Sequence, residues 1–480
     1  MKILMAASES YPFAKTGGLG DVLGSLPPAL QRAGAEVRVV LPRYGTIGET
    51  FRQEMVHRGH FTVPLGWRRQ YCGLAELEHQ GVTYCFLDNE YYFRRERIYD
   101  FHDEAERFGF FSRAVLEMIR HTDFVPDILH THDWQTGMVG VYLKTLLSDD
   151  PVFRDIRNVY TIHNLKYQGV FPRSVLTDVL GLPESLYSQE GIEFFGNISY
   201  MKGGIRFADR VTTVSHSYAR EITTPAFGER LEGILAARGD LTGIENGIDT
   251  GLYDPENDSA LAAPIRKGKE KQGKAANKKA LQQELGLAGS QNTPLVAVIS
   301  RLVPQKGLDL IREVLPEILR EDLQLVVLGT GEASFEEMFR QASLQHPDRV
   351  AARICYDEDL AHRIYAGADI FLMPSLFEPC GLAQMMAMRY GTVPLVRETG
   401  GLKDTVEPYN EFTGEGFGFT FRDPDAQDLL YTLKRALGFY RNPTAWNHLV
   451  TRVMARDHSW GHAATQYLEL YGQLPVGKEE

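Results

Sequence analysis

Short apolar runs alternate with longer amphipathic stretches along most of the chain. Residues 2–7 (K-I-L-M-A-A) and 36–41 (E-V-R-V-V-L) read as buried strands. Between them, G-D-V-L-G-S-L-P-P-A-L-Q-R-A-G reads as a helix stopped by Gly34. Further strand runs lie at 82–87, 126–131, 158–162 and 210–214. The pattern restarts at 294–300 (P-L-V-A-V-I-S) and continues at 323–329, 351–355, 369–373 and 392–396. Buried strands alternating with helices predict parallel, doubly wound sheets. Two such series predict two Rossmann-like α/β domains, joined near the Gly- and Asn-rich stretch 243–255. The reading is a first domain over 1–243, a second over 244–460, and a terminal helix within 461–480. That helix carries Tyr467, Leu468, Leu470 and Tyr471 at helical spacing and is expected to pack back toward the first domain.

Composition narrows the class. The 480 residues are 43% hydrophobic and 24% charged, enough apolar material for large cores and too much for a disordered chain. The formal charge of -12 gives no global field for nucleic acid, although a local basic site could still hold a small anion. The basic run 266–279 is read as a solvated helix face beside the joint rather than a nucleic-acid patch. Cys72, Cys85, Cys355 and Cys380 form no C-x-x-C and no disulfide framework, which fits a reducing compartment. The first residues are too short an apolar run for a signal peptide, and no apolar stretch of about 18 residues is present to span a membrane. A cytoplasmic protein with no membrane association is expected.

In doubly wound folds ligands bind beyond the carboxyl ends of the strands, so residues just after strand runs carry the candidate chemistry. After the first run, Lys15, Gly17, Gly18 and Gly20 form a loop leading into a helix. Glycines permit close backbone approach and a helix start attracts an anion. A tight turn with a surface lysine is the plainer alternative. After the run 294–300, Arg301 and Lys306 stand five positions apart before another helix. A guanidinium and an ammonium suit a pyrophosphate; two solvated charges capping a loop are the alternative. After 369–373, Glu378 precedes Cys380, Gly381 and Leu382, whose N–H groups would point out of a helix start. Glu378 could grip a sugar hydroxyl or stabilise a developing cation.

His163 and Asn164 end the run 158–162, as a site pair or as a hydrogen-bonded structural pair. His130 and His132, one residue apart and followed by Asp133, put both rings on one face, but no third ligand stands nearby and no metal is expected. Gly268 to Lys274 fits G-x-x-x-x-G-K by chance, because Ala275 replaces the hydroxyl residue and no strand precedes it. Gly329 and Gly331, and the D-x-D pairs at 357–359 and 423–425, are weak signals on their own.

Together these segments resemble the bacterial glycogen synthase and plant starch synthase family. K-T-G-G-L-G-D (15–21), H-D-W (132–134), T-I-H-N-L-K-Y-Q-G (161–169), N-G-I-D (246–249), R-L-V-P-Q-K-G-L-D (301–309), F-E-P-C-G-L (377–382) and T-G-G-L-K-D-T-V (399–406) match in family order. The resemblance implies a retaining GT-B glucosyltransferase. Its first domain would face the acceptor, its second would bind the nucleotide sugar, and a cleft would lie between them. The implied reaction moves glucose from ADP-glucose to the non-reducing 4-OH of an α-1,4-glucan such as glycogen, with no cofactor. By the same resemblance Lys15, Arg301 and Lys306 neutralise the departing pyrophosphate, helped by Gly17 and Gly18, with Asp21 closing the first motif. Glu378 and the N–H groups of Cys380, Gly381 and Leu382 hold glucose hydroxyls. His163 and Asn246 line the sugar pocket, Tyr99 and Asp133 lie near the donor or acceptor, and Tyr356 stacks on the base.

The chain departs from the family pattern at Ala383 (commonly Thr), Gln135 (His), Tyr253 (Trp) and Glu245 (an apolar residue). Ala383 removes a hydroxyl that could touch phosphate. A UDP-sugar enzyme on the same fold and a non-catalytic glucan-binding protein are the alternatives. Front-face attack and double displacement both stay open, with Glu378 the nameable nucleophile. Oligomeric state is not legible.

Overall fold

The computed structural model describes residues 1–475 and divides into two compact units: Met1–Gly247 together with the chain from Trp460 on, and Ile248–Ser459.

In the first unit the strands are β1 (Lys2–Ala6), β2 (Glu36–Pro42), β3 (Val56–Leu65), β4 (Arg68–His79), β5 (Val82–Asp88), β6 (Ile128–His132), β7 (Arg157–Ile162), β8 (Val170–Pro172), β9 (Glu193–Phe194), β10 (Asn197–Ser199), β11 (Arg210–Thr213) and β12 (Thr242–Gly243). Among the described residues nine of them form one sheet, ordered β12-β11-β7-β6-β1-β2-β5-β4-β3. From β12 to β5 every pairing is parallel, while β4 and β3 add an antiparallel hairpin at one edge. β8, β9 and β10 make a small antiparallel sheet of their own.

The expected strands of this unit all form, with ends displaced by at most two residues. The hairpin β3–β4 departs from the expected parallel sheet. Its outward positions carry Arg58, Thr62 and Arg69, so its apolar content is diluted below that of a strand buried on both faces. The expected first helix spans Gly18–Arg32, and Gly34 follows it with φ +100°. The terminal helix runs over Trp460–Gly472 and buries Tyr467, Leu470 and Tyr471 in the core of the first unit. The last residues of the 461–480 reading, 476–480, lie outside the described residues.

In the second unit β13 (Leu295–Ile299), β14 (Gln324–Leu328), β15 (Val350–Arg353), β16 (Ile370–Met373), β17 (Val393–Arg397) and β18 (Phe419–Phe421) form an all-parallel sheet. Its order, β15-β14-β13-β16-β17-β18, is that of a dinucleotide-binding fold. The chain enters and leaves this unit side by side, with Ile248 N donating to His458 O at 2.8 Å.

The basic run is a solvated face only in part: Arg266, Lys267, Lys269, Lys271 and Lys279 are exposed, whereas two lysines are not. The helix Glu270–Leu285 turns Lys274, Asn277, Lys278 and Leu281 inward, at the spacing of one helical face. Lys274 Nζ donates to Thr392 Oγ1 (2.7 Å) and Ala368 O, and burial pulls its pKa down to about 7. Lys278 Nζ meets Asp369 Oδ2 at 2.6 Å. The lysine that completed the chance G-x-x-x-x-G-K match is thus a buried lock between helix and sheet.

Candidate active site

In the second unit the strand order reverses between β13 and β16, so the loops that follow them diverge and leave a crevice. Gly307, at φ +69°, lets the two loops touch: a Cβ there would stand 1.9 Å from Pro374 O. This contact brings Lys306 Nζ to 2.6 Å from Glu378 Oε2. Ser375 Oγ donates to the same oxygen at 3.0 Å. Glu378 is only 6% exposed, so these two donors stand where water would otherwise bond to it. On its other side Gly400, at φ +46°, passes so close that a Cβ would lie 1.9 Å from Glu378 O. Arg397 Nε holds Ser375 O at 2.8 Å. The loop bearing Glu378 is therefore fixed from three directions.

Arg301 lies exposed just beyond β13. Cys380, Gly381 and Leu382 lead into the helix Ala383–Arg389. Gln384 Nε2 donates to Gly381 O (2.9 Å) and to Thr405 Oγ1 (3.0 Å), which pins this turn. Ala383 is the first residue of that helix. Tyr356, beyond β15, is 74% exposed, a flat ring presented to solvent.

In the first unit the residues after β1 are organised by Glu9, which the sequence reading passed over. Its Oε1 accepts from Thr16 Oγ1 (2.8 Å) and from Tyr99 OH (2.7 Å); its Oε2 accepts from the N–H groups of Thr16 and Gly17. Ser8 Oγ lies 2.7 Å from the same Tyr99 hydroxyl. The glycine loop is thus shaped by a nearly buried carboxylate. The available signal was an acidic residue directly after a strand buried on both faces. Lys15 Nζ pairs with Asp21 at 2.7 Å and stands 5.5 Å from the centre of the Tyr11 ring.

β6 and β7 are neighbours, and their ends carry the histidine motifs. Asp133 takes a left-handed backbone, φ +56°, unusual outside glycine though tolerated by Asp. Its Oδ1 accepts from His163 N (2.7 Å) and Asn164 N (3.3 Å). Desolvation raises the Asp133 pKa to about 7, helped by the negative charge of Glu9, against those two N–H groups. His132 Nδ1 lies 3.0 Å from His163 Nε2, so one ring donates and the other accepts. The His130 ring packs 4.1 Å from that of His132. Its Nε2 meets Thr161 Oγ1 at 2.6 Å, and its Nδ1 meets Tyr471 OH at 2.7 Å. Desolvation lowers His130 and His163 to about 3 and His132 well below its ordinary value, so all three rings are neutral at pH 7. The two histidines of H-T-H share a face; three of their four nitrogens serve this chain of hydrogen bonds, and His132 Nε2 is buried without a partner among the described residues. Among the described residues no cluster of three or more His, Cys, Asp or Glu could hold a metal.

Asn246 is nearly buried in the first unit, and its Oδ1 has no hydrogen-bond partner among the described residues. Beside Asp133 a groove of about 600 Å³ opens, lined by Trp134, Tyr167, Phe171, Phe194, Phe195 and Arg230. The sequence reading did not foresee this groove, because its residues come from separate segments without a common spacing.

Residues 2–237 match the family model for the starch synthase catalytic domain, and residues 277–438 match that for glycosyl transferases group 1. The chain is 52% identical over 476 residues to the glycogen synthase of Desulforamulus reducens, covering 99% of each chain. It is 51% identical over 481 residues to that of Geobacillus thermodenitrificans, covering 100% of this chain and 99% of the relative. The chain belongs to the glycogen synthase and starch synthase family.

Among solved structures, the catalytic domain of starch synthase IV from Arabidopsis thaliana, bound to ADP and acarbose, matches with a TM-score of 0.93 at 37% identity, covering 98% of both chains. Sucrose-phosphate synthase from Thermosynechococcus elongatus matches with a TM-score of 0.63 at 19% identity and shares the fold alone. The expected family, the GT-B fold with two parallel-sheet units and the glucosyltransferase class are borne out. Of the departures from the family pattern, Tyr253 stacks on His362 with ring centres 4.8 Å apart inside the second unit. Glu245 stands 3.9 Å from His216 in the first. No helix among the described residues is long and apolar enough to cross a membrane.

Proposed function

We infer that this glycosyltransferase is a glycogen synthase. It moves glucose from ADP-glucose to the non-reducing 4-OH of an α-1,4-glucan, with retention, and releases ADP. The observation that carries the reading is the Lys306–Glu378 pair at the switch point of a dinucleotide-binding sheet. A cation and a carboxylate there supply the two needs of a nucleotide-sugar transferase: one faces phosphate, the other sugar hydroxyls. The full-length glycogen synthase relatives and the starch synthase bound to ADP support the same substrates.

Loss of ADP from the sugar leaves negative charge on phosphate oxygens and positive charge at the anomeric carbon. Arg301 can bind those oxygens with a fork of N–H groups and Lys306 as a point charge. Lys15 and the N–H group of Gly18 add donors from the first unit, while the Gly17 N–H is already taken by Glu9 Oε2. Stabilising charge as it develops, with donors already oriented, is the largest catalytic term open to such a site.

Glu378, with the N–H groups of Cys380, Gly381 and Leu382, holds glucose hydroxyls. His163, neutral and fixed by His132, donates or accepts one hydrogen bond in the sugar pocket, and Asn246 offers its unpartnered oxygen there. Tyr99 and Asp133 flank the acceptor hydroxyl, Asp21 keeps Lys15 in place, and Tyr356 stacks on the base. Lys306 and Ser375 already share one oxygen of Glu378, which reduces its strength as a nucleophile. This favours front-face transfer, in which the departing phosphate takes the acceptor's proton.

The test is nucleotide release from ADP-glucose and from UDP-glucose, each with and without glycogen, in EDTA. Glycogen-dependent ADP release is expected. Release from UDP-glucose alone would overturn the donor, and donor binding with no release in any tube would favour a glucan-binding protein.

A further inference from the structure

The rings of His132 and His163 meet where the neighbouring parallel strands β6 and β7 end. His132 is fully buried and His163 is half-buried. His132 Nδ1 and His163 Nε2 stand 3.0 Å apart. Both rings are neutral, so one proton lies in that contact. A neutral imidazole carries a single proton, so the ring that donates there fixes the state of both outer nitrogens. If His163 donates, its Nδ1 is bare and His132 Nε2 carries hydrogen. If His132 donates, its Nε2 is bare and His163 Nδ1 carries hydrogen.

The surroundings of His132 Nε2 decide between the two. This nitrogen is buried and has no hydrogen-bond partner among the described residues. Thr161 is the register neighbour of His132 on β7. Its hydroxyl is already shared by His130 Nε2 and Thr212 Oγ1, each at 2.6 Å. The His130 ring, 4.1 Å from that of His132, brings no free donor or acceptor, because its other nitrogen meets Tyr471 OH. A buried N–H without an acceptor is rarer in folded proteins than an acceptor with an unused lone pair. His132 Nε2 is therefore the bare nitrogen, and His132 Nδ1 donates to His163. Asp133 Oδ1 meanwhile holds the backbone of His163 through its N–H at 2.7 Å. His163 is thus fixed at its backbone and at one nitrogen, while its Nδ1 has no partner among the described residues.

We propose that His132 is a positioning residue that locks His163 in its Nδ1–H form, so that His163 meets the donor glucose only as a hydrogen-bond donor. This rests on the reading that His163 lines the sugar pocket. The sugar oxygen facing His163 then accepts through a lone pair, and its own hydrogen is left for another partner.

The first experiment is nitrogen NMR of the wild-type protein with isotope-labelled histidine rings, the His163 signals being assigned by their absence in His163→Gln. Ring nitrogen–proton correlations distinguish a proton on Nδ1 from one on Nε2. His163 is expected in the Nδ1–H form, and an Nε2–H or doubly protonated ring would overturn the proposal. The second experiment compares His132→Leu, which has no donor, with His132→Asn, whose amide places an N–H near the position of Nδ1. In His132→Leu, kcat/KM for ADP-glucose is expected to fall about three- to tenfold, the worth of one hydrogen bond. KM for glycogen should change little, and His163 should move toward the Nε2–H form. His132→Asn should recover most of the rate and the wild-type tautomer. A purely structural role would lower stability and leave the tautomer alone. Wild-type kcat/KM in His132→Leu, or equal impairment of both variants, would also overturn the proposal. Should either variant fail to fold, the wild-type spectrum alone decides. An Nδ1–H ring in a protein that transfers no glucose would keep the His132–His163 assignment and remove the transferase reading. Glucosyl transfer by a protein whose His163 carries its proton on Nε2 would do the reverse.

Discussion

Lys306 and Glu378 are seventy-two positions apart in sequence, yet their charged atoms stand 2.6 Å apart, each the other's counterion. Replacing Lys306 by Ala removes a donor to phosphate and takes the neighbouring cation from a nearly buried carboxylate. Turnover in glycogen-dependent ADP release is expected to fall by at least about a hundredfold, the usual effect of deleting one oriented transition-state donor. Melting temperature should fall as well, and Lys306→Met combined with Glu378→Gln should recover part of it, because no charge is then left unpaired. Turnover near wild type in Lys306→Ala would remove Lys306 from the reaction.

The contact between the two loops depends on Gly307. A methyl group there would strike Pro374 O, and its φ of +69° disfavours any side chain. Gly307→Ala is expected to cost at least about 2 kcal/mol of stability, combining backbone strain with displaced packing. Activity should fall further than stability, since the shift separates Lys306 from Glu378. Thermal melting alongside ADP release checks both.

Glu9 accepts four hydrogen bonds around the glycine loop. An amide at this position would keep one accepting oxygen and bring two donors where donors already converge. Glu9→Gln is therefore expected to reduce turnover about ten- to a hundredfold, equivalent to roughly 1–3 kcal/mol of lost or unsatisfied bonding. Glu9→Asp, which keeps the charge on a shorter arm, should retain more activity than Glu9→Gln. The reverse order would show that charge at this point is unimportant.

Burial keeps His130, His132 and His163 neutral in the folded chain, with His130 and His163 at about 3. Unfolded histidine titrates near about 6.5. Above that value neither state binds the proton and stability is unaffected. As pH falls below it, the unfolded state takes up protons that the folded state refuses. Stability is therefore lost from about pH 6.5 down toward 3, by up to about 1.4 kcal/mol per pH unit for each such ring. Melting midpoints between pH 7.5 and 4.5 should fall steeply, and His130→Asn should reduce the slope. An unchanged slope in that variant would mean that His130 is protonated in the fold.

The sequence by itself determined the strand-and-helix alternation, because strands buried on both faces must be continuously apolar and cannot be disguised. It also determined which strand ends carry Lys15, His163, Arg301, Lys306 and Glu378, because ordered motifs survive as local strings. Other relationships were settled only by the tertiary structure. Lys306 meets Glu378 because Gly307 admits a close approach of loops seventy positions apart, and local patterning holds no record of which loops will touch. Lys274 and Lys278 looked like solvent charges until helix packing placed them over Asp369, Thr392 and the end of the sheet. Glu9 became the organiser of the glycine loop only when Tyr99, from a distant segment, closed over it. The aromatic groove draws on several separate segments of the first unit. Periodicity reports what a segment buries; which buried or exposed group faces which other is a property of packing, and it emerges only when distant segments share a surface.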